Sequence, residues 1–537
     1  MIHLKSVTMN TSYKQTITRG RYIMLSLCAL VLMFNAGCTK NFEEYNTDPT
    51  GVPNKDVEVI SLFKPIQSNI FHNYQTAQNL SADAYAGYMM SPTPFRTEYN
   101  LNYSMVDGWN SNGFKDMYTY VMFPLSRMAA AGAKTNNPDF WAVALILKVE
   151  AMHRITDKFG PIPYSKFGQS LLSSEYDSQE KVYNQFFLEL DTAVNSLQTY
   201  VAANPAATPF ASADLLFNGD YRKWIKFANS LRLRLAVRLS KVAPSVAQLQ
   251  GEKAMANTGG LMTDPADDAA VAVTNGTSDL YMITKDWADN RLNASLTSYL
   301  TGFNDPRLPA YASPATDAAF AGQYIGIRIG INIPAKDDYA TYATLNTSNT
   351  FTQLKAQQLM CAAESWFLKA EAGLRGWAGA GDPQTNYEKG IDVSMQQWGV
   401  NVGNYKADET STQAAYQDPK NSANNSPALS TVKVKWNAGG TNEQKLEQVL
   451  TQKWLAVFPE GQEAWSEFRR TGYPKLFTVV NNKSAGTIDT QVQIRRLPYA
   501  QSEYNTNNKE VQNAIQLLGG PDNGGTRVWW DVNRANF

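Results

Sequence analysis

The sequence predicts an all-α-dominated protein built from helix pairs, with long irregular segments between them. Long stretches such as 141–160 and 220–240 place apolar residues three or four positions apart, which is the spacing of one helix face. Gly and Pro divide these stretches into a helix, a short break and a second helix. Small residues recur where two helices would approach closely, as in tetratricopeptide arrays, although no strict repeat of about 34 residues is visible.

The first two predicted helices lie at 141–160 and directly after Ser178. The stretch "WAVALILKVEAMHRITDKFG" ends at Gly160, and Pro161 follows, which is a common helix stop. Ser178 is well suited to open the next helix because its hydroxyl can accept a hydrogen bond from a first-turn N–H group. The apolar face of that helix comprises Val182, Phe186, Leu190 and Leu197.

The third predicted helix, 220–240, carries an apolar stripe of Leu231, Leu235 and Leu239. Arginines alternate with these leucines, which is typical of charged residues that flank a buried stripe and pair with acids of the scaffold. The sequence therefore favours a structural role over an anion site for Arg232, Arg234 and Arg238.

The C-terminal half contains further predicted helices. The apolar face of one comprises Leu354, Leu359, Ala362, Trp366, Ala370 and Leu374. Glycines and Pro383 end it, and "NYEKGIDVSMQQWGV" resumes the helical pattern. The stretch 441–458 forms the next helix, Pro459 stops it, and "EGQEAWSEFRRTGYP" follows.

Several segments lack helical periodicity. Irregular insertions are predicted around 91–115, 258–353 and 400–440, and 478–537 is also irregular. Loops on a rigid scaffold are where binding residues are usually found. The segment 91–115 is rich in aromatic and amide side chains, so it is the first place to look for a binding site.

Composition and charge are those of a folded protein with no electrostatic footprint for nucleic acid. The chain has 537 residues, is 43% hydrophobic and has a formal net charge of zero. Residues 1–37 carry four basic residues and no acid, so the chain from Cys38 onward has a net charge of −4.

The N-terminus resembles a bacterial lipoprotein signal. Arg19 and Arg21 precede the apolar run "YIMLSLCALVLMF", which is too short to span a bilayer, and small residues then lead into Cys38. The alternative is a plain secretory signal cleaved nearby. The lipoprotein interpretation gives a signal peptide (1–37) and a lipidated tether (38–54). The length of the remainder, 55–537, suggests two to four domains or one large repeat-built unit.

Cysteine and histidine usage argues against several kinds of site. Cys28 would be lost with the leader, and Cys361 would then be an unpaired core residue on a helix. Only His72 and His153 remain, far apart in sequence. A zinc site and a histidine-based catalytic triad are therefore not expected.

An ordered set of segments resembles the SusD/RagB family of outer-membrane nutrient-binding lipoproteins, especially its second SusD-like branch. The matching strings are "NFEEYNTDPT", "ITDKFGPIPYS", "DYRKWIKFANSLRLRLAVRLS", "CAAESWFLKAEAGLRG", "QKWLAVFPEGQEAWSEFRRTGYP", "RRLPYAQSEYNTNN" and "TRVWWD". They cover nearly the whole chain after Cys38. Glu43 and Glu44 also resemble the acidic surface-export signal of Bacteroidetes lipoproteins.

The resemblance implies one SusD-like domain, in which about four tetratricopeptide-like helix pairs carry a loop-rich part that binds the ligand. It implies a surface-exposed lipoprotein, anchored in the outer membrane through Cys38, that captures glycans and delivers them to a SusC-like, TonB-dependent barrel. It also implies binding without catalysis. The same architecture could take peptides or other nutrients.

Aromatic side chains suit the apolar faces of sugar rings, and amides, carboxylates and arginine suit hydroxyl groups. On that basis the candidate ligand-binding residues of the first irregular segment are Arg96, Tyr99, Tyr103, Trp109 and Asn110. A second cluster contains Tyr281 and Trp287, with Asn290 and Arg291 nearby. Packing of the loop onto the scaffold is the alternative for each.

Other charged groups carry competing interpretations. Asp264, Asp267 and Asp268 could form a structural calcium site, but a solvated acidic turn is favoured because the EF-hand spacing is absent. No other cofactor is expected.

A secreted glycoside hydrolase would need two carboxylates across a cleft, whereas Glu460, Glu463 and Glu467 share one helix face. A helix-repeat assembly protein is a third possibility. Four C-terminal arginines are interpreted as structural ion pairs: Arg469, Arg470, Arg495 and Arg496.

Overall fold

Amphipathic helices make up most of the protein, and eight of them form four pairs that follow one another along the chain. The computed structural model describes residues 58–95, 99–169, 173–274 and 276–537. Residues 58–537 belong to one compact unit. The paired helices are α1 (Pro138–Phe159), α2 (Gln179–Ala203), α3 (Tyr221–Arg238), α4 (Pro244–Ala256), α5 (Ala362–Leu374), α6 (Pro383–Gln397), α7 (Asn442–Val457) and α8 (Gly461–Thr471).

Shorter elements surround these pairs. The other α-helices are Phe63–Asn69, Asp107–Met117, Phe123–Ala130, Ala133–Asn136, Asp279–Tyr281, Ala294–Gly302, Leu308–Tyr311, Lys336–Tyr339, Gln501–Thr506 and Asn508–Leu518. The π-helical turns are Gln75–Asp83, Tyr118–Met122 and Met282–Asp286. The 3₁₀ turns are Val59–Leu62, Asn100–Asn102, Ala211–Ala213, Pro265–Asp267, Tyr405–Ala407 and Ser422–Asn424.

The described strands are short and form two-stranded antiparallel sheets. The pairs are Met89–Met90 with Arg291–Leu292, Ile162–Pro163 with Tyr176–Asp177, Ala269–Val271 with Gln357–Met360, and Ala312–Ser313 with Thr344–Leu345. Each joins segments that are distant in sequence or bridges a loop. No helix in the described ranges is both long and apolar enough to cross a membrane.

Local signals set the starts of the paired helices. The side chains of Ser178, Asp220, Asp382 and Thr441 each accept a hydrogen bond from an N–H group of the first turn, and so does Glu460 in front of α8. Such caps satisfy donors that would otherwise lack a partner. The prediction that Ser178 opens a helix is confirmed.

The helix pairs pack on each other through small residues and a continuous core. α1 packs on α2, α3 on α4 and α5 on α6, while α2 contacts α3, α3 contacts α5, and α5 contacts α7. A Cβ atom on Gly251 would lie 2.3 Å from Trp377, and one on Gly390 would lie 2.7 Å from Phe367. The predicted helix-pair scaffold with close contacts at small residues is confirmed.

One predicted helix begins later than its apolar spacing indicated. Residues Gln357–Met360 form a strand against Ala269–Val271, and α5 starts only at Ala362. Leu354, which was placed on the helix face, is 67% exposed. The strand pairing is non-local, so helical spacing in this stretch could not reveal it. Cys361 is buried next to α5, as expected for a small core residue.

The segment 91–115, predicted to be irregular, includes most of the helix Asp107–Met117. Gly108, Gly113 and several polar residues lower its helix propensity and hide it from periodicity analysis. Packing against Gln75–Asp83 stabilises it instead, because the missing side chain of Gly113 lets the backbone approach Ala77. A Cβ atom on Gly113 would lie 3.3 Å from the Cβ of Ala77.

Arg232, Arg234 and Arg238 of α3 are buried and paired with acids, which confirms their structural interpretation. Arg234 Nη2 lies 2.7 Å from Glu364 Oε2, and Arg238 Nη1 lies 2.5 Å from Glu467 Oε1. Arg238 also pairs with Glu463. α3 is thereby tied to α5 and α8 by charge-assisted hydrogen bonds. Arg232 pairs with Asp191 of α2.

The C-terminal arginines follow the same pattern with one exception. Arg470 pairs with Glu371 and Glu467, Arg495 with Asp531 and Arg496 with Asp522. Burial alone would raise the pKa of Glu371, but Arg470 and Arg375 hold it below its usual value. Arg469 differs from the prediction. Its guanidinium donates to the carbonyl oxygens of Asp157 and Arg495 and has no carboxylate within 4.0 Å in the described part of the chain.

Replacing Arg238 with Met is expected to lower the free energy of unfolding by about 3–5 kcal/mol, because Glu463 and Glu467 each lose one of the cations that compensate their buried charge. Urea unfolding followed by circular dichroism measures the change. Arg222→Met is the matched control: Arg222 is exposed and donates only to the carbonyl oxygen of Pro205. The control should change the free energy by less than about 0.5 kcal/mol. Equal effects of the two variants would contradict the importance of the buried pairs.

Candidate functional site

The structure brings the two predicted binding clusters next to each other. The strand Met89–Met90 pairs with Arg291–Leu292, so the chain leading into the first cluster runs beside the second. Asp289 then joins them further. Its carboxylate accepts hydrogen bonds from the hydroxyls of Ser91, at 2.8 Å, and Thr93. Nε2 of Gln75 donates to the same carboxylate at 2.6 Å.

Trp287 combines a fixed backbone with a free side chain. The backbone N–H of Trp287 donates to the carbonyl oxygen of Met282 at 2.9 Å. Lys336 Nζ donates to the backbone carbonyl oxygen of Trp287, also at 2.9 Å. The next residue, Ala288, has a φ of +49°, a conformation that non-glycine residues adopt at a cost. The indole is nevertheless 47% exposed. A large apolar ring is thus held out to solvent by a well-anchored turn.

Trp109 lies in the first turn of the Asp107–Met117 helix and is half-buried. Its ring packs edge-on against Phe95, with 4.8 Å between centroids and 79° between planes. Phe95 in turn contacts Tyr99 at 4.9 Å. We call Phe95, Trp109, Thr93, Asp289 and Trp287 together the aromatic surface. Trp109 contacts Phe95, which follows Thr93 by two residues, and Thr93 bonds Asp289, which follows Trp287 by two residues.

The other predicted residues occupy different environments. Tyr99, Tyr103 and Asn110 are buried. The Tyr99 hydroxyl donates to the carbonyl oxygen of Ser91 at 3.3 Å, and Asn110 Oδ1 accepts a hydrogen bond from Asn100 at 2.9 Å. Burial raises the pKa of the Tyr103 hydroxyl, so this hydroxyl stays neutral.

Tyr281 is half-buried and precedes the turn that carries Trp287. Arg96 and Cys38 lie outside the described residues.

For Asn290 and Arg291, the structure favours packing of the loop, the alternative, over bonds to ligand hydroxyls. Both side chains are buried. The Arg291 guanidinium donates to the carbonyl oxygens of Asn290, at 2.6 Å, and Ala340, at 2.8 Å. These bonds close the loop and leave the side chain no access to the surface.

Sequence reasoning missed Asp289, Gln75, Thr93 and Lys336, which organise the aromatic surface. Asp289 stands in the string "DWADNR", between the tryptophan and the amide that were singled out. This position next to Trp287 and Asn290 is the one sequence feature that could have identified Asp289. Gln75 and Lys336 gave no signal, because their contacts with this segment bridge long stretches of chain.

The three aspartates of the possible calcium site have separate partners. Asp264 accepts a hydrogen bond from the N–H of Ala266, Asp267 pairs with Lys226 at 2.9 Å, and Asp268 accepts one from the N–H of Ala362 at 2.7 Å. Burial raises the pKa of Asp268 to about 7. Asp267 is buried, so the favoured interpretation as a solvated turn is wrong for that residue. The described residues contain no group of three acidic, His or Cys side chains that could hold a metal ion.

The glutamates considered for a hydrolase are internal. Glu460, Glu463 and Glu467 are all buried. Glu460 lies 3.1 Å from Arg154 Nη2, and Glu463 lies 3.0 Å from Lys453 Nζ. A glycosidase pair must face a cleft that admits the sugar and water. These carboxylates therefore hold helices together rather than act on a substrate.

A scaffold of paired helices that presents aromatic rings on anchored loops has the architecture of a binding protein. Comparison with known families identifies the particular one. The family model "SusD-like: Susd and RagB outer membrane lipoprotein" matches residues 43–531. The chain belongs to this family, so it is an outer-membrane lipoprotein that binds without catalysing a reaction, as the resemblance implied.

Solved structures support the same assignment. A chitin-binding SusD homologue from Flavobacterium johnsoniae is 44% identical, with a TM-score of 0.86, and the match covers 90% of this chain and 100% of the relative. A SusD homologue from Bacteroides vulgatus is 36% identical with a TM-score of 0.84, covering 89% and 98%. One from Bacteroides uniformis is 35% identical with a TM-score of 0.83, covering 89% and 100%. A search of curated proteins found no match.

Proposed function

We propose that this protein captures glycans at the cell surface and delivers them to a TonB-dependent outer-membrane transporter. The observation that carries the glycan part is Trp287, whose backbone is anchored while its indole is nearly half exposed. The exposed indole offers a flat apolar face, and the apolar face of a sugar ring stacks on such a ring favourably.

Polar groups beside the ring complete the proposed site. Gln75, Thr93 and Lys336 surround Asp289 and supply an amide, a hydroxyl and an ammonium group for sugar hydroxyls. We assign Trp287 and Trp109 to stacking and Tyr281 to the rim.

Tyr99, Tyr103 and Asn110 support this surface from inside the protein in the proposed arrangement. Arg96 is proposed as a further contact because it follows Phe95 in the chain.

The chitin-binding relative favours a glycan over a peptide as the ligand. At 44% identity, with the whole of the relative covered, the two chains share the scaffold that carries the loops. A peptide-binding protein of the same architecture is the alternative, and the choice between them is made by direct binding measurements.

Replacing Trp287 with Ala is expected to raise the Kd for the glycan by about tenfold or more, because an exposed aromatic anchor is lost. Trp109→Ala should act in the same direction. A panel of chito-oligosaccharides, other glycans and peptides identifies the ligand, and calorimetry then measures the variants. The control is Phe537→Ala, since Phe537 is 49% exposed but packs on Arg375 away from this surface. Unchanged affinity in both tryptophan variants would overturn the site, and binding of peptides alone would overturn the glycan assignment.

The transporter part of the proposal rests on membership of the SusD and RagB family. A tagged copy, extracted from outer membranes in mild detergent, is expected to co-purify with a TonB-dependent barrel that mass spectrometry identifies. Trp287→Ala should leave this association unchanged if the glycan surface and the barrel contact are separate. Purification without any such barrel, from cells grown on the glycan that the protein binds, would contradict delivery to a transporter.

Cys38 is the proposed lipid attachment point, with 39–54 as its tether. Acyl chains contribute roughly 0.8 kcal/mol for each buried methylene, so several chains anchor a protein stably. Cys38→Ala is expected to move the protein out of the membrane fraction and to abolish labelling with palmitate. Cys361→Ala is the matched control and should keep both properties, because Cys361 is buried. A Cys38→Ala variant that stays labelled and membrane-bound would disprove the assignment.

A further inference from the structure

One cavity of the protein, separate from the aromatic surface, is lined by many basic residues. It has a volume of about 510 Å³ and lies between the end of α8, the segment 491–495 and the segment 527–534. Seven Lys or Arg residues line it, and no Asp or Glu is among its described lining residues. Since the whole chain has a formal net charge of zero, this is a local concentration of positive charge.

Part of this charge is compensated from behind the cavity wall. Arg470 pairs with Glu371 and Glu467 in the core. Arg495 and Arg527 share the single carboxylate of Asp531, at 2.5 Å and 2.7 Å. Two cations on one carboxylate leave one positive charge facing the cavity.

The other four basic residues of the cavity have no carboxylate within 4.0 Å among the residues that the structure describes. Arg469 is buried and donates to carbonyl oxygens and to the Ser466 hydroxyl, while Lys241 Nζ donates to the carbonyl oxygen of Arg470 at 2.9 Å. Arg534 donates to the carbonyl oxygen of Lys241, and Lys475 lies 4.5 Å from the ring of Tyr473. Carbonyl oxygens and rings orient these cations without neutralising them.

The rest of the wall is suited to a polar organic molecule. Gln491, Gln493, Asn533 and Thr478 place amides and a hydroxyl around the charges. The volume is in the range of sites for small ligands rather than for a single ion. Guanidinium groups bind carboxylate, sulfate and phosphate oxygens through paired hydrogen bonds, and Asp531 already illustrates this geometry with Arg495.

We propose that this cavity is an anion-binding site that takes a small molecule bearing a sulfate, phosphate or carboxylate group. Lys241, Arg534 and Lys475 contact the anionic group, Arg469 adds its positive charge from within the wall, and the amides contact the remainder of the molecule. The site is distinct from the aromatic surface, with which it shares no residue.

Calorimetry of the chain from Cys38 onward with inorganic sulfate, inorganic phosphate and glucose 6-sulfate tests the proposal, with glucose as the uncharged control. Saturable binding of an anion, weakened by added salt, is expected. Tighter binding of the sugar sulfate than of free sulfate would assign the ligand to a larger molecule, and equal binding would assign it to the free ion. No saturable binding of any of the three anions at millimolar concentration would overturn the site.

Lys475→Gln combined with Arg534→Gln should weaken anion binding by about tenfold or more, because two charged partners are removed. The matched control is Lys509→Gln, since the Lys509 side chain is 89% exposed and lies outside the cavity. Thermal melting confirms that each variant is folded. Equal loss of affinity in the control and the double variant would show only non-specific attraction and would overturn the proposal.

Proton uptake provides a second readout. Burial, together with Arg470, Arg527 and Arg495, lowers the pKa of Lys241 to about 8, against the opposing charge of Asp531. A bound anion stabilises the ammonium form and raises this pKa, so binding at pH 8 takes up protons and weakens as the pH rises above 8. Calorimetry in two buffers with different ionisation enthalpies measures the uptake. Lys241→Met should abolish it, and undiminished uptake in that variant would contradict the assigned role of Lys241.

Discussion

The buried charge network between the helix pairs is the constraint on which the rest of the structure depends. It links α1, through Glu150 and Arg154, to α3, α5, α7 and α8, so every pair contributes at least one helix. A carboxylate or guanidinium without a partner in this interior would cost several kcal/mol. Because each helix carries its charges at fixed positions, a shift of one pair along its neighbour would separate several of these charges from their partners.

The need of a buried charge for partners also organises the loop-rich part, on a smaller scale. Asp289 is nearly buried and collects hydrogen bonds from Gln75, Ser91 and Thr93, with Lys336 3.9 Å away. Segments almost 200 residues apart in sequence therefore meet at one carboxylate. This arrangement allows a turn with a left-handed Ala288 to persist and keeps the adjacent tryptophan exposed. Rigid support of an exposed ring lowers the entropy lost when a ligand binds.

The sequence predicted the structural features that depend on residues close together in the chain. α1 and α3 lie within three residues of their predicted limits, because apolar spacing, capping residues and Gly-Pro stops act within a few positions. The helix Asp107–Met117 and the strand Gln357–Met360 depend on distant partners, and local patterns misled or concealed them. Residue type alone singled out Trp109 and Trp287. The contacts that place them together run through Asp289 and Phe95, and no local pattern encodes such contacts.

Most buried arginines in the described part of the scaffold pair with a carboxylate, but two do not. Ten are buried among the described residues, and eight of them pair with a carboxylate. The two exceptions are Arg291, in the segment that carries Trp287, and Arg469, in the wall of the basic cavity. Carbonyl oxygens satisfy their N–H groups but leave their charge intact, and burial lowers the pKa of both. Arg291 joins the segment that carries Trp287 to Ala340, and Arg469 joins Asp157 of α1 to Arg495. A guanidinium can hold two backbone segments in this way because its N–H groups form a rigid fork. These two arginines therefore fix the segment that carries Trp287 and the wall of the basic cavity by hydrogen bonds rather than by ion pairs.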